Sequence, residues 1–158
     1  MDPRHFRNAL GRFTTGVTIV TCRDGLGQPV GLTANSFNAL SLDPPLVLWS
    51  LRHASPNMSA FETATHFAVN VLAEAQVELS RRFAASAEDR FAQGAWASGD
   101  HGVPVLAGCA AVFECQTVSH QIAGDHRLFI GSVLACSESA LAPLVFQAGH
   151  YRLLGEVL

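Results

Sequence analysis

The sequence predicts a β-rich fold, an all-β barrel with short helices that forms a single domain over residues 1–158. Six or more apolar, β-branched segments are separated by turn sequences rich in Gly, Pro, Asn and Asp, which is typical of strands. Segments with helical periodicity are few and short. The chain is 49% hydrophobic and only 15% charged, so it can bury a substantial core and is not a disordered protein.

The N-terminal third is predicted to begin with a helix and to continue with strands. In residues 3–13, Phe6, Leu10 and Phe13 recur on one helical face, and Pro3 suits the first turn of a helix. The β-branched residues that follow favour extended structure. Strands are expected at 17–23, 30–41 and 46–52, with a turn at 24–29.

The rest of the chain combines two short helices with strands. Pro56 starts a predicted helix that ends near Thr63, and Val77, Leu79 and Phe83 are expected to be partly buried in a second helix. An Ala-, Ser- and Gly-rich stretch after it indicates an excursion over the surface. The second helix is expected at 77–84, the excursion at 85–102, strands at 66–72, 107–120, 126–138, 143–147 and 150–157, and a turn at 122–125.

The charged residues and the cysteines exclude several function classes. A net charge of −3 argues against nucleic acid or an anionic membrane as the main ligand. All ten basic residues are arginine, and the lack of lysine excludes Schiff-base catalysis and a Walker A site. The four cysteines form no CxxC pair and the seven histidines lack metal-ligand spacing, so we expect buried, reduced thiols and no metal site. With no apolar signal core and no membrane-length apolar segment, a cytoplasmic location is expected.

One polar stretch inside a predicted strand is a candidate binding segment. Residues 31–37 place Thr33, Asn35 and Ser36 close together in an otherwise apolar strand. Two interpretations account for these residues equally well. One is an edge strand whose hydroxyls point into solvent; the other is a strand whose N–H and hydroxyl groups line a planar polar ligand. The Gly-rich sequence at 25–31 is a hairpin turn and not a dinucleotide loop, because a strand follows it.

An anion site is predicted downstream of this segment. Ser55 before Pro56 is typical of a helix N-cap, and a helix N-terminus can bind phosphate through its free N–H groups. Ser50, Arg81 and Arg82 could add contacts to the same anion. Taken singly, Ser55 is explained by helix capping and the two arginines by a solvated helix face.

Several motifs in the same order resemble the short-chain flavin reductases, whose fold is the FMN-binding split barrel with Greek-key-like topology. The resemblance spans nearly the whole chain, and the GLTANSF, SLDPP and GDH sequences are its most specific parts. The motifs are FRNALGRFTTGVTIVT, GLTANSFNALSLDPPLVLWSL, FAVNVL, RRFA with DRF, GDHRLFIGSV and PLVF.

The resemblance implies a binding role for a set of residues. The flavin ring and ribityl chain would be lined by Thr33, Ala34, Asn35, Ser36, Ser50 and Leu51, and the phosphate would be held by Ser55 and by Arg81 or Phe83. Gly124, Asp125 and His126 would lie on the nicotinamide side, with His126 orienting NAD(P)H and Tyr151 closing the same side. Without the resemblance, the Gly-Asp-His sequence is explained by a tight turn.

The implied activity is hydride transfer from NADH or NADPH to FMN or FAD. The family's enzymes are homodimers, and many supply reduced flavin to a partner monooxygenase. Two alternatives remain open from the sequence. One is a split-barrel protein with tightly bound flavin that reduces a corrinoid or a ferric complex; the other is a non-catalytic flavin carrier.

Overall fold

The computed structural model describes all residues from Met1 to Leu158. None of its helices combines the length and apolar character needed to cross a membrane. The helices are α1 (Pro3–Leu10), α2 (Met58–Thr63) and α3 (Val77–Ala84). The strands are β1 (Thr15–Gly16), β2 (Thr18–Arg23), β3 (Pro29–Ala34), β4 (Asn38–Leu42), β5 (Pro45–Arg52), β6 (His66–Val71), β7 (Trp96–Ser98), β8 (Pro104–Leu106), β9 (Ala111–Ala123), β10 (His126–Glu138), β11 (Val145–Gln147) and β12 (His150–Arg152).

Seven strands form one antiparallel sheet in the order β3-β2-β6-β9-β10-β5-β4. β3 and β4 are its two edges, yet only residues 35–37 separate them in the chain. The sheet therefore curls until its edges meet, and the barrel is split between β3 and β4. This agrees with the predicted β-rich split barrel. Two small sheets, β1-β11-β12 and β7-β8, lie outside it.

Aromatic side chains fill the interior of the barrel. The Trp49 indole stacks on Phe129 with ring centroids 4.9 Å apart and meets the edge of Phe61 from α2 at 4.8 Å. All three are essentially inaccessible to solvent. Burying a large apolar side chain stabilises a fold by about 1.5–3 kcal/mol, and aromatic contacts add roughly 0.5–1.5 kcal/mol. This cluster fixes the inner face of β5 and β10, so the opposite face of the same strands is held in a defined position.

A buried polar residue joins the barrel to the β7-β8 hairpin. The Asn70 amide donates to the Ile19 carbonyl at 3.0 Å and accepts from the Leu106 N–H at 2.9 Å. Thr21 donates to the Pro104 carbonyl at 2.6 Å. Because unpaired polar groups are costly in the interior, these bonds fix the position of the hairpin on the sheet.

Most predicted elements are confirmed, and several details of the prediction are wrong. The helix predicted to start at Pro56 begins at Met58, and the strand predicted at 150–157 ends at Arg152. The predicted strand 30–41 is two strands with a break at 35–37, and the first helix ends at Leu10. Residues 85–102 are more than a surface excursion, because Phe91 and Trp96 pack on Phe83, with ring centroids at 5.1 and 5.3 Å. A second core cluster forms there.

Three of the four cysteines are buried in the two cores. Burial raises the pKa of Cys22 and Cys115 to about 12 and that of Cys109 to about 11. Cys136 is exposed on β10, and all four thiols are free. The three buried thiols therefore stay protonated well above neutral pH and are shielded from reagents.

We expect one fast thiol in the native protein. At about pH 8, a chromogenic disulfide reagent should react quickly with Cys136 alone and with all four cysteines after denaturation. Cys136→Ser should abolish the fast phase. Two or more fast thiols in the folded chain would contradict the burial of the core cysteines.

Candidate active site

A cavity of about 400 Å³ opens where the barrel is split. The end of β3, the end of β5 with the loop after it, and the start of β10 form its walls. Eight residues expected from the sequence line it together: Thr33, Ala34, Asn35, Ser36, Ser50, Leu51, Ser55 and His126. The sequence analysis missed three more, namely Leu32, Arg52 and Ala54.

The break between β3 and β4 leaves hydrogen-bond donors free at the cavity. The backbone N–H groups of Asn35, Ser36 and Phe37 have no partner in the chain, and the Asn35 side-chain amide has none either. Asn35 is exposed, and Asn35 and Ser36 both line the cavity. Unpaired N–H groups at an accessible wall are ready to bind the oxygen and nitrogen acceptors of a planar ligand.

The hydroxyls of this segment are structural. Ser36 Oγ donates to the Ser50 carbonyl and accepts from the Ser50 N–H, both at 3.0 Å. Thr33 Oγ1 donates to the Ser80 carbonyl on α3 at 2.6 Å. The segment is thus tied to β5 on one side and to α3 on the other. The Ser50 hydroxyl makes no hydrogen bond within the chain and remains free for a ligand.

Ser55 does not cap α2, so the predicted N-cap role of Ser55 is wrong. The helix has only six residues and begins at Met58, with Asn57 at its N-cap position. Ser55 Oγ instead accepts from the Asn57 N–H at 3.3 Å and shapes the loop. Its hydroxyl proton is free to donate towards the cavity that it lines.

The tip of the β9-β10 hairpin presents His126 to the cavity. Gly124 has a φ of 61°, which the first residue of a two-residue turn of this kind requires. The carbonyl of Asp125 accepts from the His53 N–H at 3.0 Å, which ties the turn to the end of β5. The tight turn expected at this place is present, and it also positions a side chain in the site.

The Asp125 carboxylate determines which nitrogen of His126 is available. Asp125 Oδ1 lies 2.7 Å from His126 Nδ1, and an ionised carboxylate can only accept, so Nδ1 carries the proton. This hydrogen bond, and secondarily the charges of His126 and Arg52, lowers the pKa of Asp125 below its usual value. When the imidazole carries a single proton, Nε2 is a hydrogen-bond acceptor for a ligand.

Arg52 adds a positive charge to the same mouth of the cavity. Its Cα is the cross-strand partner of His126, which puts both side chains on one face of the sheet. Arg52 is exposed and forms no ion pair closer than 4 Å. The sequence contained no signal for it, because only the register of β5 against β10 brings these two residues together.

The other expected site residues lie elsewhere. Arg81 pairs with Glu78 and its guanidinium lies 5.5 Å over the Tyr151 ring. The Phe83 ring is 1% exposed inside the second core, so its side chain cannot contact a ligand. Tyr151 bonds Ser80 Oγ at 2.8 Å and lines a neighbouring 180 Å³ cavity, which shares Thr33 to Asn35 with the first cavity but does not include His126. Gly124 and Asp125 act through the turn and lie outside the cavity wall.

Comparison with known proteins agrees with this geometry. The chain is 46% identical to a probable flavin reductase of Rhizobium meliloti over 99% of its own length and 51% of that protein. It is 47% identical to the FMN reductase (NADH) SmoA of Agrobacterium fabrum over 95% of this chain and 85% of that protein. The chain thus spans about half the length of the Rhizobium relative.

A solved structure and a family model extend the match to the fold. The Streptomyces globisporus NADH:FAD oxidoreductase SgcE6, in complex with NAD and FAD fragments, superimposes with a TM-score of 0.92 at 34% identity. That match covers 98% of this chain and 96% of the other. The model of the flavin reductase like domain matches residues 10–155. The chain therefore belongs to the flavin reductase-like family.

Proposed function

We propose that the protein is an NAD(P)H-dependent flavin reductase and that flavin binds in the cavity at the split of the barrel. The observation that carries this proposal is the pair of free backbone N–H groups at Asn35 and Ser36, two residues that line the same cavity as His126. Relatives described as an FMN reductase (NADH) and as reductase components of flavin-dependent monooxygenases support it.

The residues present fit a flavin. The cavity volume of about 400 Å³ lies within the range of small-molecule sites, which is roughly 300–1,000 Å³. Its wall offers N–H donors from 35–36, the free hydroxyls of Ser50 and Ser55, and the charge of Arg52. These donors suit the carbonyl groups, ribityl hydroxyls and phosphate of FMN. The apolar side chains of Leu32, Ala34 and Leu51 suit a flat ring.

The chemistry depends on orientation more than on acid–base groups. A flavin bound here supplies the hydride acceptor, and the reduced nicotinamide supplies the hydride. Asn35 and Ser36 would hold the acceptor ring through backbone donors that stabilise negative charge in a fixed geometry. His126, with Nε2 as acceptor, would receive a hydrogen bond from the carboxamide of the nicotinamide and orient it.

We infer a homodimer from the surface of the chain. The single chain exposes 9392 Å², against roughly 7,600 Å² for a compact monomer of this mass. Helix α1 buries no residue, and Phe6, Leu10 and Phe13 are 50%, 57% and 75% exposed. An apolar helix face of this kind on a chain with few charges is suited to an obligate interface, which buries about 2,000 Å² or more.

We also infer the cellular setting and the acceptor of the reduced flavin. Four unpaired cysteines suit a reducing compartment, which supports a cytoplasmic location. Relatives that serve as reductase components support a partner monooxygenase as the destination of reduced flavin. Strand β2 contributes Val20 to one core and Ile19 to the other, which supports one domain over residues 1–158.

The first prediction tests flavin reduction and its site together. The protein should oxidise NADH or NADPH only when flavin is added, and Asn35→Leu should raise the Kd for FMN about tenfold through crowding at the donor row. Asn35 is exposed and unbonded, so Tm should not change. Asn38→Leu, an exposed change on β4 outside the cavity, is the matched control. Unchanged FMN affinity in Asn35→Leu would refute the assignment of Asn35 to the flavin site. A protein that oxidises NAD(P)H with none of the flavins would refute the proposed activity.

The second prediction concerns nicotinamide orientation. His126→Ala should raise the KM for NAD(P)H or lower the rate of flavin reduction about tenfold, equivalent to about 1.4 kcal/mol, with unchanged flavin affinity. Stopped-flow reduction and a flavin binding titration separate the two effects. His150→Ala, another hairpin histidine outside the cavity, should behave like the parent. If His126→Ala keeps the parental rate and KM, the Gly-Asp-His sequence forms a tight turn and does not orient the nicotinamide.

The third prediction concerns assembly. Light scattering at micromolar concentration should give the mass of two chains, and Leu10→Asp should shift the equilibrium towards monomer by burying a charge in the interface. Leu26→Asp changes an isolated, 86% exposed leucine in a turn and should leave the dimer intact. An active wild-type monomer would contradict the homodimer. If the Leu10→Asp dimer dissociates no more readily than the parent dimer, α1 does not lie in the interface.

A further inference from the structure

The tip of the β9-β10 hairpin has little support from the rest of the sheet. β6 pairs with β9 only as far as the pair of His66 and Gln116, so the remainder of β9 has no strand on its outer side. Residues 118–125 are exposed. On the other side, the ladder between β10 and β5 ends at the pair of His126 and Arg52. The position of His126 therefore depends on contacts beyond the strand ladder.

Arg127, the residue after His126, makes such a contact. Its side chain lies on the opposite face of β10 from His126, because successive side chains in a strand alternate. One terminal nitrogen of Arg127 lies 2.8 Å from Glu62 Oε1 on α2, and the other donates to His120 Nδ1 at 3.1 Å. The Arg127 and Glu62 side chains are 18% and 33% exposed, so solvent screens this ion pair less than it screens a pair on the open surface.

Helix α2 is a rigid anchor for this ion pair. Phe61, next to Glu62, is 2% exposed and packs edge-on against Trp49 in the barrel core, with ring centroids 4.8 Å apart. Two further residues of this short helix are also buried. Glu62 thus holds Arg127, and with it the start of β10, against an element that core packing fixes.

The ion pair also closes a ring of contacts around the loop at 53–57. β5 leads into this loop and the loop leads into α2, while the ion pair connects α2 back to β10, the strand that pairs with β5. The loop contains the His53 N–H that donates to the Asp125 carbonyl in the turn before His126. Both connections to the turn, through β10 and through His53, therefore depend on the ion pair.

We propose that Glu62 and Arg127 are positioning residues that hold His126 in the orientation needed to bind the nicotinamide. They act through His126, because neither lines the cavity. Thr33 and Ser36 are tied to α3 and β5, not to α2 or the hairpin tip, so flavin affinity should change little when the ion pair is lost. The inference rests on the proposed flavin reductase activity and adds the residues that set the geometry of its hydride donor.

The test breaks the ion pair from either side. Glu62→Gln and Arg127→Gln each remove one charge, and Glu138→Gln, an exposed change at the far end of β10 without an ion pair, is the matched control. Glu62→Gln is also made in the His126→Ala background. Steady-state kinetics give kcat/KM for NAD(P)H, a titration gives the Kd for FMN, and hydrogen exchange of the flavin-free protein reports the opening of the hairpin tip. Thermal melts identify a variant that does not fold, and the other variant then carries the test.

The expected result is a selective loss of nicotinamide use. Both single variants should lower kcat/KM for NAD(P)H about fivefold and change the Kd for FMN by less than about twofold. Arg127→Lys keeps a positive charge opposite Glu62 and should lose less than about twofold in kcat/KM. Amide exchange at residues 122–128 should accelerate in the flavin-free variants, because the tip opens more often. In the His126→Ala background, Glu62→Gln should have no further effect, since the residue through which it acts is gone.

Two outcomes overturn the inference. One is an unchanged kcat/KM in a folded variant that lacks the ion pair. The other is an equal loss from Glu62→Gln with and without His126, which would make the ion pair a purely structural contact. In both cases flavin reduction by the wild type still supports the proposed function. A wild type that does not reduce flavin overturns that function, and the inference with it.

Discussion

The link between β3 and β4 constrains the whole architecture. These strands are the two edges of a seven-stranded sheet, and residues 35–37 alone connect them. A flat sheet with six strand spacings would separate its edges by about 29 Å, whereas the link reaches at most about 14 Å. The sheet must therefore close on itself. The aromatic core around Trp49 and the outward position of His126 both follow from this closure.

Closure at this place also creates the ligand site. Residues that cross from one edge to the other cannot pair in the ladder, so the N–H groups of Asn35, Ser36 and Phe37 are left free. Ser36 compensates in part, because a hydroxyl can donate and accept at once and so satisfies both backbone groups of Ser50. The same break that would be a defect in a continuous strand becomes a row of donors beside a cavity.

Local sequence patterns predicted the elements well and the long-range arrangement poorly. The helix at 77–84 and the β9-β10 pair follow from periodicity and turn residues close to them in the chain. The break at 35–37 has no Gly or Pro to mark it, so it is visible only once the sheet closes. Seven of the eight expected cavity residues lie in the family motifs and Ser55 was found through the Ser-Pro pattern, but Arg52 depends on register with His126. Phe83 was misplaced because its partners Phe91 and Trp96 come from a segment whose composition indicates surface.

Backbone and side-chain groups have different roles in this site, and this difference determines which positions tolerate a change of amino acid. Donors at 35 and 36 belong to the main chain, so any residue other than proline can supply them, and side chains there tune affinity by shape. Ser36 is different, because apolar replacements lose both bonds to Ser50 and free the segment from β5. The Asp125 carboxylate is likewise restricted in its role, because it holds a proton on His126 Nδ1 and leaves Nε2 to contact a ligand. Recognition of the ring therefore depends on how the sheet closes, and orientation of its reaction partner depends on a two-residue turn.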